Sequence, residues 1–317
     1  MENIADAVRT LRSARTRAVV ARAITMDGFG SRRMGDAAIL AGGSPVAGQV
    51  LNGGADEVLE RETARLLAGD PAATVVEVRL ADGPAVAAGL ACGGAARLLI
   101  QDIALIPAAW WEAIDTRRPA ALITTLPDGA STVITDASGS HRASALLARR
   151  APATEVEGDE VIEVWWPTPR VLVLGAAELA GAIARQSELL GWDTVLDEGS
   201  DPAASTAAAA DLGPADALVV LSHNPLVAIP ALAASLTGDA GYVGALGSRT
   251  TQANRRTRLL AAGLTDGDVD RIHGPVGLDL GARTPEETAV AICAEVIAQR
   301  SGRAGASLRD AHGPING

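Results

Sequence analysis

Apolar and polar positions give the two halves of this chain different rhythms. In the second half, short wholly apolar runs alternate with longer alanine-rich or amphipathic ones. Strands are expected at 170–174, 193–197, 216–221, 241–245 and near 271–273, with helices at 177–190, about 203–210, 225–236, 250–262 and 285–299. Runs such as VLVLG and ALVVLS have no polar face, so both faces must be buried, the pattern of a parallel sheet with right-handed crossovers. The last helix opens on Thr284 as N-cap, Pro285 at the first helical position and Glu287 as its capping-box partner. Residues 170–300 therefore predict a Rossmann-like, doubly wound α/β domain, and 301–317, polar and glycine-rich, a flexible tail.

The first half has shorter runs broken by glycine turns. Strands are expected at 17–25, 36–43, 45–52, 73–80, 96–103, 120–125 and 131–135, and helices at 2–14 and 55–68, the latter stopped by Gly69. Gly42-Gly43 between two apolar runs predicts a hairpin, and PDGA a second turn. This half reads as a mixed α+β domain over 1–150. Residues 151–169 are acidic and proline-bearing and carry Trp165 and Trp166; they are expected to be a linker or edge segment that docks one half on the other.

Composition narrows the classes. A length of 317 residues favours two domains, and 48% hydrophobic residues with only 2% aromatic ones imply cores packed from small aliphatic side chains. A formal net charge of -11 argues against a nucleic-acid partner, although arginines cluster at 249–258. Two cysteines, Cys92 and Cys293, make no disulfide framework or zinc pattern. The N-terminus lacks the apolar core of a signal peptide, and no run of 18 apolar residues exists, so a cytoplasmic protein with no membrane span is expected.

Candidate chemistry gathers at strand ends. In RVLVLGAAELAGAIARQ (170–186) a strand runs through Gly175 into a helix, as in a dinucleotide-binding turn. The fingerprint positions are Gly175, Ala177 and Ala180. Ala177 puts a methyl group where a pyrophosphate needs bare backbone. Asp197 ends the next strand, where an acid could bind a ribose hydroxyl. Two readings stay open: a domain that keeps the turn without NAD(P), and an altered NAD(P) site. On the same edge fall LSHNP, with Ser222, His223 and Asn224, and GALGSRTTQ, where Gly247, Ser248 and Arg249 precede a helix as an anion cradle. No nucleophile–base–acid set can be placed from the sequence alone.

The segment GYVGALGSRTTQANRRTRLLAAG…IHGPVGLDLGARTPEETAVAICAEVIAQR (241–300) closely resembles the C-terminal domain of the xanthine dehydrogenase accessory factor family, XdhC/CoxI. GLACGGAARLLIQ (89–101) resembles the family's G-L-x-C-G-G segment, GQVLNGGADEVL (48–59) stands where the family has S-x-G-G-C-V-E, and GFGSRRMG (28–35) is similar to a shortened G-S-x-P stretch. The resemblance implies a chaperone that binds molybdenum cofactor (molybdopterin). It would shelter the cofactor while a cysteine desulfurase supplies sulfur, and pass it to the apo-enzyme of a molybdenum hydroxylase such as xanthine dehydrogenase or carbon monoxide dehydrogenase. It also implies a homodimer. Carried over, the cofactor-binding candidates are Gly53, Gly54, Cys92, Gly93, Gly94, Gly175, Asp197, His223, Gly247, Ser248 and Arg249, with Cys92 a candidate molybdenum ligand. The departures are grouped: Ala55 replaces the family cysteine, Ala177 a glycine, Asp197-Glu198-Gly199 an Asp-Asp-Arg, and Ser222-His223-Asn224 a Thr-His-Asp. Two competing readings are an NAD(P)-dependent oxidoreductase and a non-binding paralogue acting as an assembly subunit.

Overall fold

The computed structural model describes residues 2–29, 36–69, 72–126, 128–139 and 141–309. Most of the GFGSRRMG stretch, the end of the tail and Pro127 of the PDGA turn lie outside them. The chain forms two compact units, Met1–Trp166 and Pro167–Gly317.

The first unit runs α1 (Glu2–Ser13), β1 (Ala18–Gly28), β2 (Ala37–Ala41), β3 (Ser44–Gly48), α2 (Asp56–Ala68), β4 (Ala73–Leu80), α3 (Asp82–Ala87), β5 (Gly94–Asp102), α4 (Ala108–Asp115), β6 (Ala120–Thr125), β7 (Ser131–Ile134), α5 (Arg142–Leu147), β8 (Ala153–Glu157) and β9 (Glu160–Trp165). Its strands make two antiparallel sheets, ordered β3-β2-β1-β5-β4 and β7-β6-β9-β8. Gly42 and Gly43 both take positive φ and close the β2–β3 hairpin, the turn chemistry the sequence carries.

Strand periodicity assigns the faces of β1. Val19, Ala21 and Ala23 pack with Leu59 and Leu66 of α2. Ala18 and Val20 pack with Ile4 and Val8 of α1 and Trp110 of α4. Two residues further along this second face stands Arg22, 1% exposed. Its Nη1 lies 3.3 Å from Glu163 Oε2 on β9, and its Nη2 donates to Gln101 Oε1 on β5 at 2.5 Å. Gln101 in turn donates to Gly129 O and Ser131 Oγ. Burial pushes the Arg22 pKa down and the Glu163 pKa up, and the attraction between them opposes both shifts.

The expected linker is corrected here. Residues 153–157 and 160–165 are β8 and β9, and β9 is an interior strand of its sheet. The alternation VIEVW buries Val161 and Glu163 on one face and Ile162 and Val164 on the other. The acidic residues that suggested a solvated connection are strand positions, one of them paired to a buried arginine. The strand expected at 45–52 is also shorter, ending at Gly48 before a tight turn at Leu51–Gly53.

The second unit runs β10 (Arg170–Leu174), α6 (Glu178–Leu189), β11 (Asp193–Asp197), α7 (Pro202–Ala210), β12 (Ala217–Val220), α8 (Pro225–Thr237), β13 (Tyr242–Ala245), α9 (Arg249–Ala261), α10 (Asp266–Val269), β14 (Ile272–His273) and α11 (Pro285–Arg300). All five strands are parallel, in the order β11-β10-β12-β13-β14. Leu172, Leu218 and Val243 face α7, α8 and α9, while Val171, Val173 and Val219 face α6 and α11. Both faces are covered, as the unbroken apolar runs require. Thr284 and Glu287 form the capping box of α11. Among the described residues, no helix is long and apolar enough to cross a membrane.

Removing one partner of a buried ion pair strands the other. Glu163→Ala should therefore lower the unfolding free energy by about 3–5 kcal/mol, measured by urea denaturation. The double variant Arg22→Met, Glu163→Leu should recover most of that loss. If Glu163→Ala costs nothing, Arg22 does not depend on this carboxylate.

Candidate functional site

In unit-local numbering the parallel sheet has the order 2-1-3-4-5, so the connections reverse direction between β10 and β12. Ligands of open α/β sheets sit at that point, beyond the carboxyl ends of the strands. The chain brings the second-half candidates there in one row: Asp197 ends β11, Gly175 follows β10, His223 follows β12, and Gly247, Ser248 and Arg249 follow β13.

Gly175 has φ 126°, and a Cβ there would lie 2.7 Å from Ser222 N on the neighbouring strand end. Its N–H donates to Asp197 O at 2.7 Å. The glycine is thus required by the chain's own approach as well as by the turn. Ala177 is exposed, extended and N-cap of α6, with no side-chain acceptor for the helix. Ala180, buried, is the small residue that lets α6 sit against the sheet. Asp197 is half-buried, and its Oδ1 takes the Gly199 N–H at 2.8 Å. His223 is exposed on a turn pinned on both sides. Ser222 Oγ accepts from Asn224 N, and Asn224 Oδ1 caps α8 through Leu226 N.

At the start of α9, Ser248 Oγ accepts the Thr251 N–H and Ser248 O the Gln252 N–H. The exposed first-turn residues Arg249 and Thr250 keep their N–H groups directed out of the helix, an anion-favouring end. Two residues that sequence reasoning passed over hold this loop. Gln252 Nε2 donates to Ala245 O and Gly247 O, and Arg255 Nη2 to Leu246 O, so three successive carbonyls are fixed from below. The spacing of Gln252 and Arg255, one helical turn apart beside the glycine loop, was the available signal. The cluster of arginines at 249–258 is not one basic face: Arg255 is buried, and Arg256 pairs with Asp266 and Asp270.

The long motif has a further node. Glu295 on α11 accepts from Tyr242 Oη at 2.5 Å and from Gly277 N at 2.8 Å, and lies 3.3 Å from His273 Nδ1. The Tyr242 and His273 rings stack with centroids 4.6 Å apart. Burial pushes the Glu295 pKa up, but the bonds from His273, Tyr242 and Gly277 outweigh it and hold it below its ordinary value. Burial, then the bond to Glu295, raises the Tyr242 pKa. Nearby Cys293 is a core residue whose thiol burial pushes up to about 11, so it is protonated and inert near neutral pH.

The first-half candidates gather within their own unit. Leu51, Asn52 and Gly53 all take left-handed φ, of 51°, 52° and 87°. This turn carries Asn52 Nδ2 to Gly89 O at 3.4 Å, and Gly54 fits against Leu80 and Ala88. The 52–54 and 88–94 stretches are therefore neighbours. Gly93 and Gly94, named above as cofactor-binding candidates, are also required by the fold itself. A Cβ on Gly93 would lie 2.5 Å from Leu80 O, one on Gly94 2.4 Å from Asp27 O, and one on Gly28 2.6 Å from Gly93 O. The space is filled by backbone where β1, β4 and β5 converge, and Asp82 Oδ1 accepts the Gly93 N–H. Beside the convergence lies a cleft of about 520 Å³ walled by Asp27, Gly28, Arg79, Leu80 and Gly94. Cys92, two residues before Gly94, is half-buried. Ala55, where the family has cysteine, is 1% exposed and packs with Leu51 and Leu59. Among the described residues no three His, Cys, Asp or Glu groups could hold a metal ion.

Two outcomes follow. Gly94→Ala should destabilise the fold by about 1–3 kcal/mol through overpacking, whereas Gly83→Ala, with open space around its Cβ, should stabilise it by about 0.4–1 kcal/mol; urea titrations of both decide. Because the Glu295 pKa is depressed on folding, its stabilisation is complete above the ordinary value of 4.5 and lost as pH falls through the folded value. Glu295→Gln should flatten the acid limb of melting temperature against pH. An unchanged limb would remove Glu295 from this role.

Residues 171–296 match the model of the XdhC Rossmann domain. The chain is 28% identical over 154 residues to an uncharacterized Escherichia coli protein, YqeB, covering 43% of this chain and 28% of that one. It is 28% identical over 134 residues to the E. coli molybdenum cofactor insertion chaperone PaoD, covering 42% of this chain and 41% of PaoD. Each match spans less than half of the relative's own length. A crystal structure described as a xanthine dehydrogenase from Bacillus halodurans aligns with a TM-score of 0.52 at 20% identity, over 96% of this chain and 98% of that one, a likeness of fold. With the strand order and the turn at Gly175 in place, residues 171–296 of the second unit are an XdhC Rossmann domain.

Proposed function

We propose that this protein binds molybdenum cofactor and assists its maturation and insertion into the apo-form of a molybdenum hydroxylase. The observation that carries the reading is the row of groups at the carboxyl ends of the parallel strands, Asp197, Gly175, His223 and Gly247–Arg249, in a domain of the XdhC family. The similarity to a molybdenum cofactor insertion chaperone supports the choice of cargo.

The donor set fits such a cargo in part. A pterin phosphate is an anion, and the start of α9 offers N–H groups and the Arg249 guanidinium to it. Molybdenum takes soft sulfur ligands, and Cys92 is the half-buried thiol, unlike the core Cys293. Gly53 and Gly54 adjoin the Cys92 stretch through Asn52 and Leu80, so they serve as its support. Nothing at Ala55 can ligate. The reading extends to sulfuration by a cysteine desulfurase while the cofactor is held, and to a homodimer in a cytoplasmic setting. NAD(P) is the weaker ligand, because the Ala177 methyl stands at the start of α6 where a pyrophosphate would lie.

The test is purification from a host that makes molybdenum cofactor, followed by release, oxidation and fluorescence of bound pterin. Near-stoichiometric pterin is expected, with a large loss in Cys92→Ser and in Arg249→Gln while both variants stay folded by circular dichroism. Folded wild-type protein without pterin above background, given excess cofactor, would overturn the proposal in favour of an assembly subunit without cargo.

A further inference from the structure

The described part of the chain buries two guanidinium groups deeply, those of Arg22 and Arg255. They are treated differently. Arg22 faces the Glu163 carboxylate. Arg255, 6% exposed, has only neutral partners: Nη1 donates to Gln252 Oε1 at 2.5 Å and Nη2 to Leu246 O at 3.2 Å. Among the described residues no carboxylate acts on it, and burial alone lowers its pKa. A guanidinium offers five N–H donors, so these two bonds leave it under-used. A desolvated charge without a counter-charge is costly, and neutral acceptors return only part of that cost.

Arg255 also lines a cavity. Gln252, Arg255 and Arg256 of α9 form one wall, and Asp270, Ile272 and Gly274 the other, around about 260 Å³. The single acid among these lining residues, Asp270, is already held by Arg256 Nη1 at 2.6 Å, and Arg256 also contacts Asp266. Both carboxylates of that cluster are turned to Arg256, and neither bonds Arg255, whose guanidinium meets the cavity with neutral partners only. Gln252 offers Arg255 only its neutral Oε1, while its Nε2 donates to Ala245 O and Gly247 O.

We infer that the cavity between α9 and β14 binds a small phosphate-type oxyanion, with Arg255 as the counter-charge. The planar guanidinium suits two oxygens of one anion, which a lysine could not match. This site is distinct from the open start of α9. It needs neither Cys92 nor pterin, so it stands or falls apart from the proposed cargo. Occupancy would also stiffen the Ala245–Gly247 loop, because Arg255 and Gln252 hold the carbonyls of that loop.

The experiment uses the full chain labelled with 15N-arginine, at constant ionic strength in chloride, titrated with inorganic phosphate. The Arg255 Nε–H resonance should shift saturably in the millimolar range. Phosphate binding, read independently by 31P line width, should weaken at least tenfold in Arg255→Gln and in Arg255→Lys, and stay unchanged in Arg258→Gln, an exposed arginine of the same helix. An Arg255 resonance unmoved by phosphate would overturn the inference and leave Arg255 as a structural latch on Leu246. So would binding lost in Arg249→Gln but kept in Arg255→Gln, which would place the anion at the start of α9. An equal response to acetate would reject the phosphate-type assignment. Should the Arg255 variants fail to fold, the wild-type resonance alone decides.

Discussion

The carboxylate of Glu295 is the constraint on which the second unit turns. It sits on the last long helix, yet its partners come from β13, from β14 and from the glycine-rich connection after β14. β14 has only two residues, too few to hold a place in a sheet by ladder bonds alone. The Tyr242–His273 stack and the bond to Glu295 hold His273 beside its neighbour strand, and the Gly277 N–H brings the connection down onto α11. A depressed pKa is the signature of such convergent donors: they stabilise the anion by more than burial disfavours it. The capping box at Thr284 then fixes where α11 begins, and hence which turn carries Glu295.

The same economy explains the glycines. Gly28, Gly93 and Gly94 interlock where strand ends cross, and Gly175 lets the chain after β10 lie against Ser222. In each case the atom that a Cβ would strike is main chain of this molecule, and main chain cannot rotate aside as a side chain can. Glycine at these points follows from chain-on-chain approach, whatever the ligand. Candidate contacts therefore shift from the glycines to what they position: Cys92 beside the first convergence, and Ser222–Asn224 and Asp197 beside the second.

Legibility in the sequence followed the physics of each segment. The parallel sheet was readable because strands buried on both faces are apolar throughout, and the start of the last helix because Thr284 is a strong N-cap. The β2–β3 hairpin was readable from two glycines. β8 and β9 were not, because Glu155, Glu160 and Glu163 made a strand pair resemble a solvated connection. Only the placement of Arg22, a property of another sheet, gives Glu163 its reason to be buried. The short helices α3, α4 and α5 have too few turns to show a period. At the candidate site the strand-end row was legible from topology rules. The Glu295 node and the Gln252–Arg255 support lay inside the quoted motif, but linking Tyr242, His273 and Glu295 requires the fold that brings them together.

The two alanines that depart from the family pattern share one physical situation. Ala55 and Ala177 are both N-caps, of α2 and α6, and neither supplies a side-chain acceptor to its helix. Their environments differ. Ala55 is packed into the core between Leu51 and Leu59, so its methyl contributes to folding and a thiol there would face apolar neighbours. Ala177 is exposed, so its methyl contributes little packing and acts mainly on whatever approaches the helix start. The first substitution keeps the core filled with a side chain that cannot ligate. The second removes close access while leaving the helix N–H groups in place. Side-chain donor chemistry is absent at the starts of α2 and α6, while Cys92 within the first unit and Ser248 and Arg249 within the second retain it.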